Sequence, residues 1–492
     1  MSAGHYLSKS RVQSGRQCHR RLWLEVHRRS SLAWSPQAQA KLDAGSRFGE
    51  LAQSLLGGGL LIDAGHRDAA QALAQTAAAL ARPASEVPRL FEPAFEHEGV
   101  RVRVDALERG PDGDRLVEVK STTGVKAPYL WDCAVQTWVA RGAGRPVRSV
   151  AIGHVDSRFV YRSEGDYRGL LAVTDITAQV EALVPQVPEV VATLKQVIGA
   201  DEPAIRTGAH CASPYDCPFL DHCASQEPAP PVFPITVLPR AGKLLERLAA
   251  LGYSDLTQVP DTLLDGELHR RIALASRTGT PWTSGALPDL LASLPYPRHY
   301  LDFETVSFII PRWLGTRPFQ ALPFQFSCHT EAADGSLQHT GFLDLSGAAP
   351  MADFVEAVLA AVGKVGPILV WNRGFEAGVL GRLAADFPHR ATELEAAADR
   401  MIDLLPIYRE HYYHPDQRGS WSIKAVLPTV APDLDYGDLA VADGQAAQLA
   451  YQEAIDPGTP PERRAELRDQ LERYCELDSR AMVRLVRHWT PK

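Results

Sequence analysis

Apolar residues recur at helical spacing in two Ala-rich stretches, Ala38 to Leu56 and Arg67 to Leu80, then give way to strict alternation in Val100-Arg-Val-Arg-Val-Asp-Ala-Leu107. The first pattern predicts amphipathic helices and the second a half-exposed strand. Gly110-Pro-Asp-Gly113 is a turn signal, so Arg115 to Ser121 is expected to return as the second arm of a hairpin. A helix around Ala134 to Arg141 and a strand from Ser149 to His154 complete an α/β unit. The proline-rich run Glu227-Pro-Ala-Pro-Pro-Val-Phe-Pro234 reads as a stiff spacer. Residues 240 to 294 read as helical with breaks, and a second α/β pattern starts at His299 with Tyr300-Leu-Asp-Phe-Glu304 as its first strand. Pro367 to Trp371 reads as a buried strand that turns into a helix, and Tyr474 and Asp478 fall on a late amphipathic helix. The expected division is therefore an α/β domain over 1–226, a proline-rich and helical linker over 227–297, and an α/β domain over 298–492. No internal repeat or long low-complexity tract interrupts it.

At 492 residues and 45% hydrophobic, the chain is long enough for two or three domains, each with its own core. No stretch approaches the ~20 apolar residues that span a bilayer, so no membrane partner is expected. The start, Met1 to Arg11, has no apolar run and the seven cysteines are an odd number, which indicates neither a secretory leader nor a disulfide framework and places the chain in the cytoplasm. The net charge of −8 speaks against coating nucleic acid through bulk electrostatics. Locally, residues 1 to 31 carry seven Lys or Arg against the single acid Glu25, which suits either a surface that tracks a phosphate backbone or a solvated helix face.

Two groups of acids carry candidate chemistry. Glu118 and Lys120 are two apart, hence on one face of a strand, and Asp105 ends the strand before it. Phosphodiester hydrolysis needs a hard divalent cation with oxygen ligands, which Asp105 and Glu118 could supply, and Lys120 could orient water or stabilise the pentavalent transition state. Such pairs also occur as solvated charges on hairpins. Further on, Asp302 and Glu304 project from one strand face, Glu376 sits at a helix N-terminus, and Tyr474 and Asp478 are four apart on one helix face. Three or four acids and a hydroxyl match two cations ~4 Å apart acting on an in-line displacement, although each fragment alone is common surface or capping chemistry. Cys211, Cys217 and Cys223 are separated by five residues each, and Cys18 stands alone near the start. That spacing suggests an iron–sulfur cluster more than a zinc site, whose ligands come in close pairs, or unrelated thiols.

The ordered set Leu7-Ser-Lys-Ser10, Cys18 with Arg20-Arg-Leu-Trp-Leu24, Asp105, Glu118-Val-Lys120, Gln136, Cys211, Cys217 and Cys223 resembles the RecB-like branch of the PD-(D/E)XK nucleases over about residues 5 to 225. It is most similar to iron–sulfur CRISPR-adaptation exonucleases and AddB-type nuclease domains. The resemblance implies a restriction-endonuclease-type α/β fold, Asp105 and Glu118 as metal ligands, Lys120 as catalytic, Gln136 as its helper, and a [4Fe–4S] cluster on the four cysteines. Lys9, Arg11, Arg20 and Arg21 are the expected nucleic-acid contacts. Where that family carries a metal-binding His in a Gly-x-x-x-His setting, this chain reads Gly49-Glu-Leu-Ala-Gln53, with Glu50 nearby.

Leu301-Asp-Phe-Glu-Thr305, Trp371-Asn-Arg-Gly-Phe-Glu376 and Tyr474-Cys-Glu-Leu-Asp478 resemble the three motifs of the tyrosine-bearing DEDD exonucleases, on a ribonuclease H-like α/β fold, over roughly residues 298 to 490. This implies Asp302, Glu304, Glu376 and Asp478 as ligands of two Mg²⁺ or Mn²⁺ ions, Tyr474 as the group that orients the attacking water, and 3′-to-5′ polarity. Glu376 stands where Asp is usual. Asp403 is the expected supporting acid, and Lys424 is expected to face phosphate. Together the halves are similar to a bacterial family that joins the two domain types. The expected activity is nuclease action on single-stranded DNA or RNA or on DNA ends; the alternatives are a nucleic-acid-binding scaffold or a redox-responsive regulator whose N-terminal site is degenerate. Nothing in the sequence points to a protein partner.

Overall fold

The alternating segment after Gly99 folds into two strands that belong to different sheets. In the computed structural model, which describes residues 6–29, 36–65, 68–434, 436–437 and 439–490, the chain divides into unit 1, Met1–Pro228 with Phe308–Phe319, and unit 2, Ala229–Ser307 with Gln320–Lys492. The architecture is mixed α/β throughout.

Unit 1 contains β1 (Leu7–Ser8), β2 (Leu60–Leu61), β3 (Arg89–Phe91), β4 (Ala94–His97), β5 (Val100–Arg103), β6 (Ala106–Glu108), β7 (Asp114–Lys120), β8 (Val147–Val155) and β9 (Leu171–Asp175). Six of them form a sheet in the order β2-β3-β6-β7-β8-β9, and three form another in the order β1-β5-β4. The turn after β6 produces the expected antiparallel hairpin with β7. β7 and β8 are parallel, which requires a crossover, and the helix Ala127–Gly142 supplies it. That helix packs Cys133, Ala134 and Val139 into a core with Val102, Leu116, Val150 and Ile152.

The single strand expected over 100–107 breaks at Val104 and Asp105. There the Val104 N–H donates to the Pro93 carbonyl, and the Asp105 carbonyl accepts from Glu92 N–H. Period-two alternation is satisfied on both sides of such a bend, so the pattern does not reveal it. Asp105 consequently sits in the break between sheets. The helix expected over 67–80 is Ala69–Ala81, and Arg67 lies outside the described residues.

Residues 308–319, expected in the C-terminal domain, belong to unit 1. Ile309 and Ile310 pack beside Phe48, Val155 and Leu170. Tyr161 N–H donates to Thr316 O at 3.0 Å, and Gly315 N–H donates to Tyr161 O at 2.7 Å.

Unit 2 includes most of the stretch expected to be a linker. Its helices Gly242–Ala250, Glu267–Thr278 and Leu287–Ala292 precede the sheet, and β10 (Trp282–Thr283) pairs with β16 (Tyr412–Tyr413), which lies more than 100 residues later. Gly419, at φ +78°, closes this arrangement: a Cβ there would overlap the Val237 carbonyl oxygen, so glycine is required on both counts.

The main sheet of unit 2 runs β13-β12-β11-β14-β15, from β11 (Arg298–Val306), β12 (Leu322–Glu331), β13 (Leu337–Leu343), β14 (Ile368–Val370) and β15 (Met401–Asp403). β12 is antiparallel to both its neighbours, and β11, β14 and β15 are parallel. One face of β12 sends Phe326 and Cys328 into a core with Phe354, Val355 and Val358. The other face is polar and equally buried, because the helix Pro461–Trp489 covers it with matching groups. Gln325 Nε2 donates to Leu471 O at 2.8 Å, Ser479 Oγ lies 2.6 Å from Ser327 Oγ and 2.8 Å from His329 Nδ1, and Arg487 Nε donates to Glu331 Oε1 at 2.6 Å. Each of these bonds spares a buried polar atom a cost of about 1–3 kcal/mol, although Gln325 Oε1 has no partner among the described residues. Asp302 lies opposite Ser327 and Glu304 opposite Gln325, so both acids share the face that this helix covers. No helix among the described residues is long and apolar enough to cross a membrane.

Candidate functional site

The register of β11 and the docking of the helix Pro461–Trp489 bring three acids together in unit 2. Ligand atoms of Asp302, Glu304 and Asp478 all lie within 4.8 Å of one another. Asp478 and Glu304 are 6% and 7% exposed. Glu376 comes from the helix Arg373–Asp386 and is also buried, with its Oε2 lacking a hydrogen-bond partner among the described residues. It lies outside the close trio but within electrostatic reach of Asp302 and Glu304.

Asp403 explains how Glu376 is placed. Its carboxylate accepts from Asn372 N–H at 3.1 Å, Arg373 N–H at 3.0 Å and Leu405 N–H at 3.0 Å, tying the start of one helix to the start of another. Asn372 turns at φ 95° to enter the Glu376 helix. Asp403 is therefore a support for the start of the Glu376 helix.

Burial, then mutual repulsion, sets the protonation of these acids. Asp302 is held well above the usual carboxylate range by burial and by Asp478, Glu304 and Glu376. Glu304 is pushed up to about 8 by burial and by Asp478, and Glu376 up to about 8 by burial, with Asp403 adding to it. Asp478 is raised by burial to about 6, and the Tyr436 hydroxyl and Lys424 limit the rise. Tyr436 Oη donates to Asp478 Oδ1 at 2.6 Å.

Tyr474 is 4% exposed, and burial together with Asp478, Glu304 and Asp302 keeps its phenol protonated. Lys424 Nζ donates to Tyr474 Oη at 3.1 Å and to Ala442 O at 2.5 Å, and it lies 4.8 Å from the centre of the Tyr474 ring. The donor set is all hard oxygen, with one carboxylate oxygen unpartnered among the described residues, and it fits Mg²⁺ or Mn²⁺. The reading of the sequence missed Tyr436, which sits in irregular chain with no periodic signal. It also missed Asp443, which caps the helix Gly444–Ala454 and adds negative charge near Glu304. An Asp-Gly pair before a helical run is a capping signal that could have found it.

The acids of unit 1 are arranged differently. Glu118 Oε1 accepts from Lys9 Nζ at 2.6 Å and from Lys120 Nζ at 2.7 Å, and its Oε2 accepts from Gln136 Nε2 at 2.7 Å. Lys120 also donates to Asp132 Oδ2 at 3.0 Å, and Gln13 Nε2 donates to Asp132 Oδ1 at 2.9 Å. Asp105 Oδ2 accepts from Val119 N–H at 2.6 Å. Burial alone would raise Glu118, but Lys9 and Lys120 pull it down to about 2, whereas burial and Glu118 push Asp105 up to about 7. Asp132 was not foreseen, although it stands four residues before Gln136 on the same helix face. On the helix Pro36–Leu55, Gln53 is half-buried and Glu50 exposed. Glu50 does not join Asp105 and Glu118 in a compact ligand group among the described residues.

Of the basic residues expected at a phosphate backbone, Lys9 is drawn into this site. Arg20 donates to Glu202 at 2.8 Å and to Ile205 O at 3.1 Å, and Arg21 donates to Glu25 at 3.1 Å and to Gln17 at 2.8 Å. Arg11 lies against Tyr6, whose ring also faces Arg101 at 4.7 Å. A cleft of about 490 Å³ beside Asp105 is lined by Tyr6, Ser8, Lys9, Ser10 and Arg101 among others.

Cys18, Cys211, Cys217 and Cys223 are all free thiols. Gln17 Nε2 donates to His210 O at 2.8 Å and to Tyr215 O at 2.6 Å, and Cys217 N–H donates to Cys211 O at 2.7 Å, so the chain beside Cys18 is tied to the loop of the other three. Burial raises Cys217 and Cys223; Cys211 and Cys18 add to the rise at Cys217, and Cys217, Cys18 and Cys211 to that at Cys223. No three of the four sulfurs lie within 4.8 Å of one another.

A family model described as a domain of unknown function, DUF2779, matches residues 299–422. Nothing among the curated proteins matches the chain. Among solved structures, one titled "Crystal structure of SSO0001" matches 45% of this chain and 87% of its own, with 12% identity and a TM-score of 0.24, an overlap that carries no assignment of fold. The segment matched by the family model carries Asp302, Glu304, Glu376 and Asp403 and ends before Lys424, Tyr474 and Asp478.

Proposed function

We propose that unit 2 is a metal-dependent nuclease that removes nucleotides from a 3′ end, and that unit 1 binds nucleic acid on a domain organised by an iron–sulfur cluster. The observation that carries the first part is the convergence of Asp302, Glu304 and Asp478 within 4.8 Å, with the unpartnered buried oxygen of Glu376 nearby. The strand order β13-β12-β11-β14-β15, an antiparallel meander followed by two parallel strands, supports the ribonuclease H-like reading of this unit.

Asp302, Glu304, Glu376 and Asp478 would hold two Mg²⁺ or Mn²⁺ ions, which when bound activate water and neutralise charge on the attacked phosphate. Tyr474 keeps its proton, hydrogen-bonds Asp478 and would help orient the attacking water. Lys424 positions Tyr474 through the bond to its oxygen, a role closer to the observed geometry than a direct contact with phosphate. Burial beneath the helix Pro461–Trp489 shields the acids from solvent and strengthens each of these contacts.

For unit 1, four free thiols drawn together from both ends of a stretch of about 200 residues support a cluster.

Three outcomes are expected. End-labelled single-stranded DNA or RNA incubated with Mn²⁺ should shorten stepwise from the 3′ end, and Asp302→Ala should slow this by at least about 100-fold; cleavage that persists in Asp302→Ala but disappears in Glu118→Ala would place the activity in unit 1 instead. Anaerobically purified protein should contain about four irons per chain, lost in Cys217→Ala, whereas stoichiometric zinc would contradict the cluster. The third concerns pH. Without metal, Glu304 and Glu376 retain protons up to about 8 and Asp478 up to about 6, whereas the unfolded chain releases them near ~4. Their contribution to stability is thus present at low pH and lost as pH rises through the folded values. Metal binding displaces those protons, so the rise in melting temperature caused by Mn²⁺ should be larger at pH 8 than at pH 6. An equal rise at both would show that the acids are already ionised.

A further inference from the structure

We propose that the Lys9 ammonium stands in unit 1 where a divalent cation would otherwise bind, so that Asp105, Glu118 and Lys120 form a metal-free site with a built-in positive charge. The inference rests on the geometry of unit 1 and is independent of the reading of unit 2.

The residues present do not fit a metal ion. Glu118, the acid the resemblance makes a ligand, has both oxygens engaged, one by two ammonium groups at 2.6 and 2.7 Å and the other by the Gln136 amide at 2.7 Å. Asp105 spends one oxygen on Val119 N–H. A divalent ion needs about six oxygen ligands, and no third acid or histidine joins these two in a compact group among the described residues. An added double charge would also face two ammonium groups already in contact with the same carboxylate, at strong Coulombic cost in a buried site.

Lys9 reaches this position through built structure. β1 pairs in parallel with β5, Leu7 opposite Val100 and Ser8 opposite Arg101, which delivers the next residue to the acids. Ser8 then caps the helix Lys9–Gln17, its Oγ accepting from Arg11 N–H at 3.3 Å. The Lys9 side chain is 23% exposed and that of Glu118 is 1% exposed. An ion pair this enclosed is strongly destabilised by removing one partner. The same helix ends at Cys18, so the Lys9–Glu118 pair fixes one end of the element that carries a thiol at the other. Unit 2 is arranged differently: Lys424, an ammonium near the acids, bonds Tyr474 and the Ala442 carbonyl.

The test is the number of Mn²⁺ ions bound per chain, measured by equilibrium dialysis on wild type, Glu118→Gln, Lys9→Arg, Lys9→Met and Lys9→Met/Glu118→Gln, with folding verified by thermal melting. Wild type, Glu118→Gln and Lys9→Arg should bind the same number. Lys9→Met should bind one more, and the added Glu118→Gln substitution should abolish that extra ion. A lower count in Glu118→Gln than in wild type would overturn the proposal, as would a folded Lys9→Met with no extra ion. The comparison of wild type with Glu118→Gln decides the question even if Lys9→Met does not fold.

Discussion

Carboxylates resist being brought together away from water. Two full charges within 4.8 Å of one another, as at Asp302, Glu304 and Asp478, repel by roughly 3–4 kcal/mol at an effective dielectric constant near ~20. Something must hold them there, and in unit 2 it is the sheet and the helix Pro461–Trp489. β11 supplies two acids from one face, the helix supplies the third, and the buried polar seam from Gln325 to Glu331 keeps helix and sheet in register. The raised carboxylates and the protonated Tyr474 follow from that confinement. A site in this condition gains most from a cation, which is why the nuclease reading places its metal there.

The two units meet the same difficulty in different ways. In unit 1 the acids gather around two lysines and an amide, so Glu118 stays ionised and well below the usual carboxylate range. In unit 2 no ammonium bonds the trio among the described residues, and burial and mutual repulsion raise the acids instead. One arrangement is electrically complete and the other is not. That difference, more than the presence of Asp and Glu in both, separates a binding site from a hydrolytic one in this account.

Short-range features were legible in the sequence, and long-range partnerships were not. The Asp302 and Glu304 strand, the helix that spaces Tyr474 from Asp478 and the β6–β7 hairpin follow from period and turn chemistry within a few residues. Asp403 was expected only from the resemblance, since its bonds to Asn372 and Arg373 N–H span about 30 residues and leave no local signal. Lys9 is expected at phosphate because its partner lies 109 residues away, and Arg20 likewise meets Glu202, 182 residues on; Arg21 pairs with Glu25 four residues along its own helix, a contact that helical spacing does reveal. The bend at Asp105 preserves alternation and so hid from it. Residues 308–319 carry apolar groups that would suit either unit, and their place beside Phe48 and Val155 depends on tertiary packing alone.

The central claim is that the acids of unit 2 are held together to share divalent cations, and anomalous diffraction from crystals grown with excess Mn²⁺ addresses it without relying on activity. The account predicts two anomalous peaks bounded by Asp302, Glu304, Glu376 and Asp478. A well-ordered site with no peak among those four residues would contradict it.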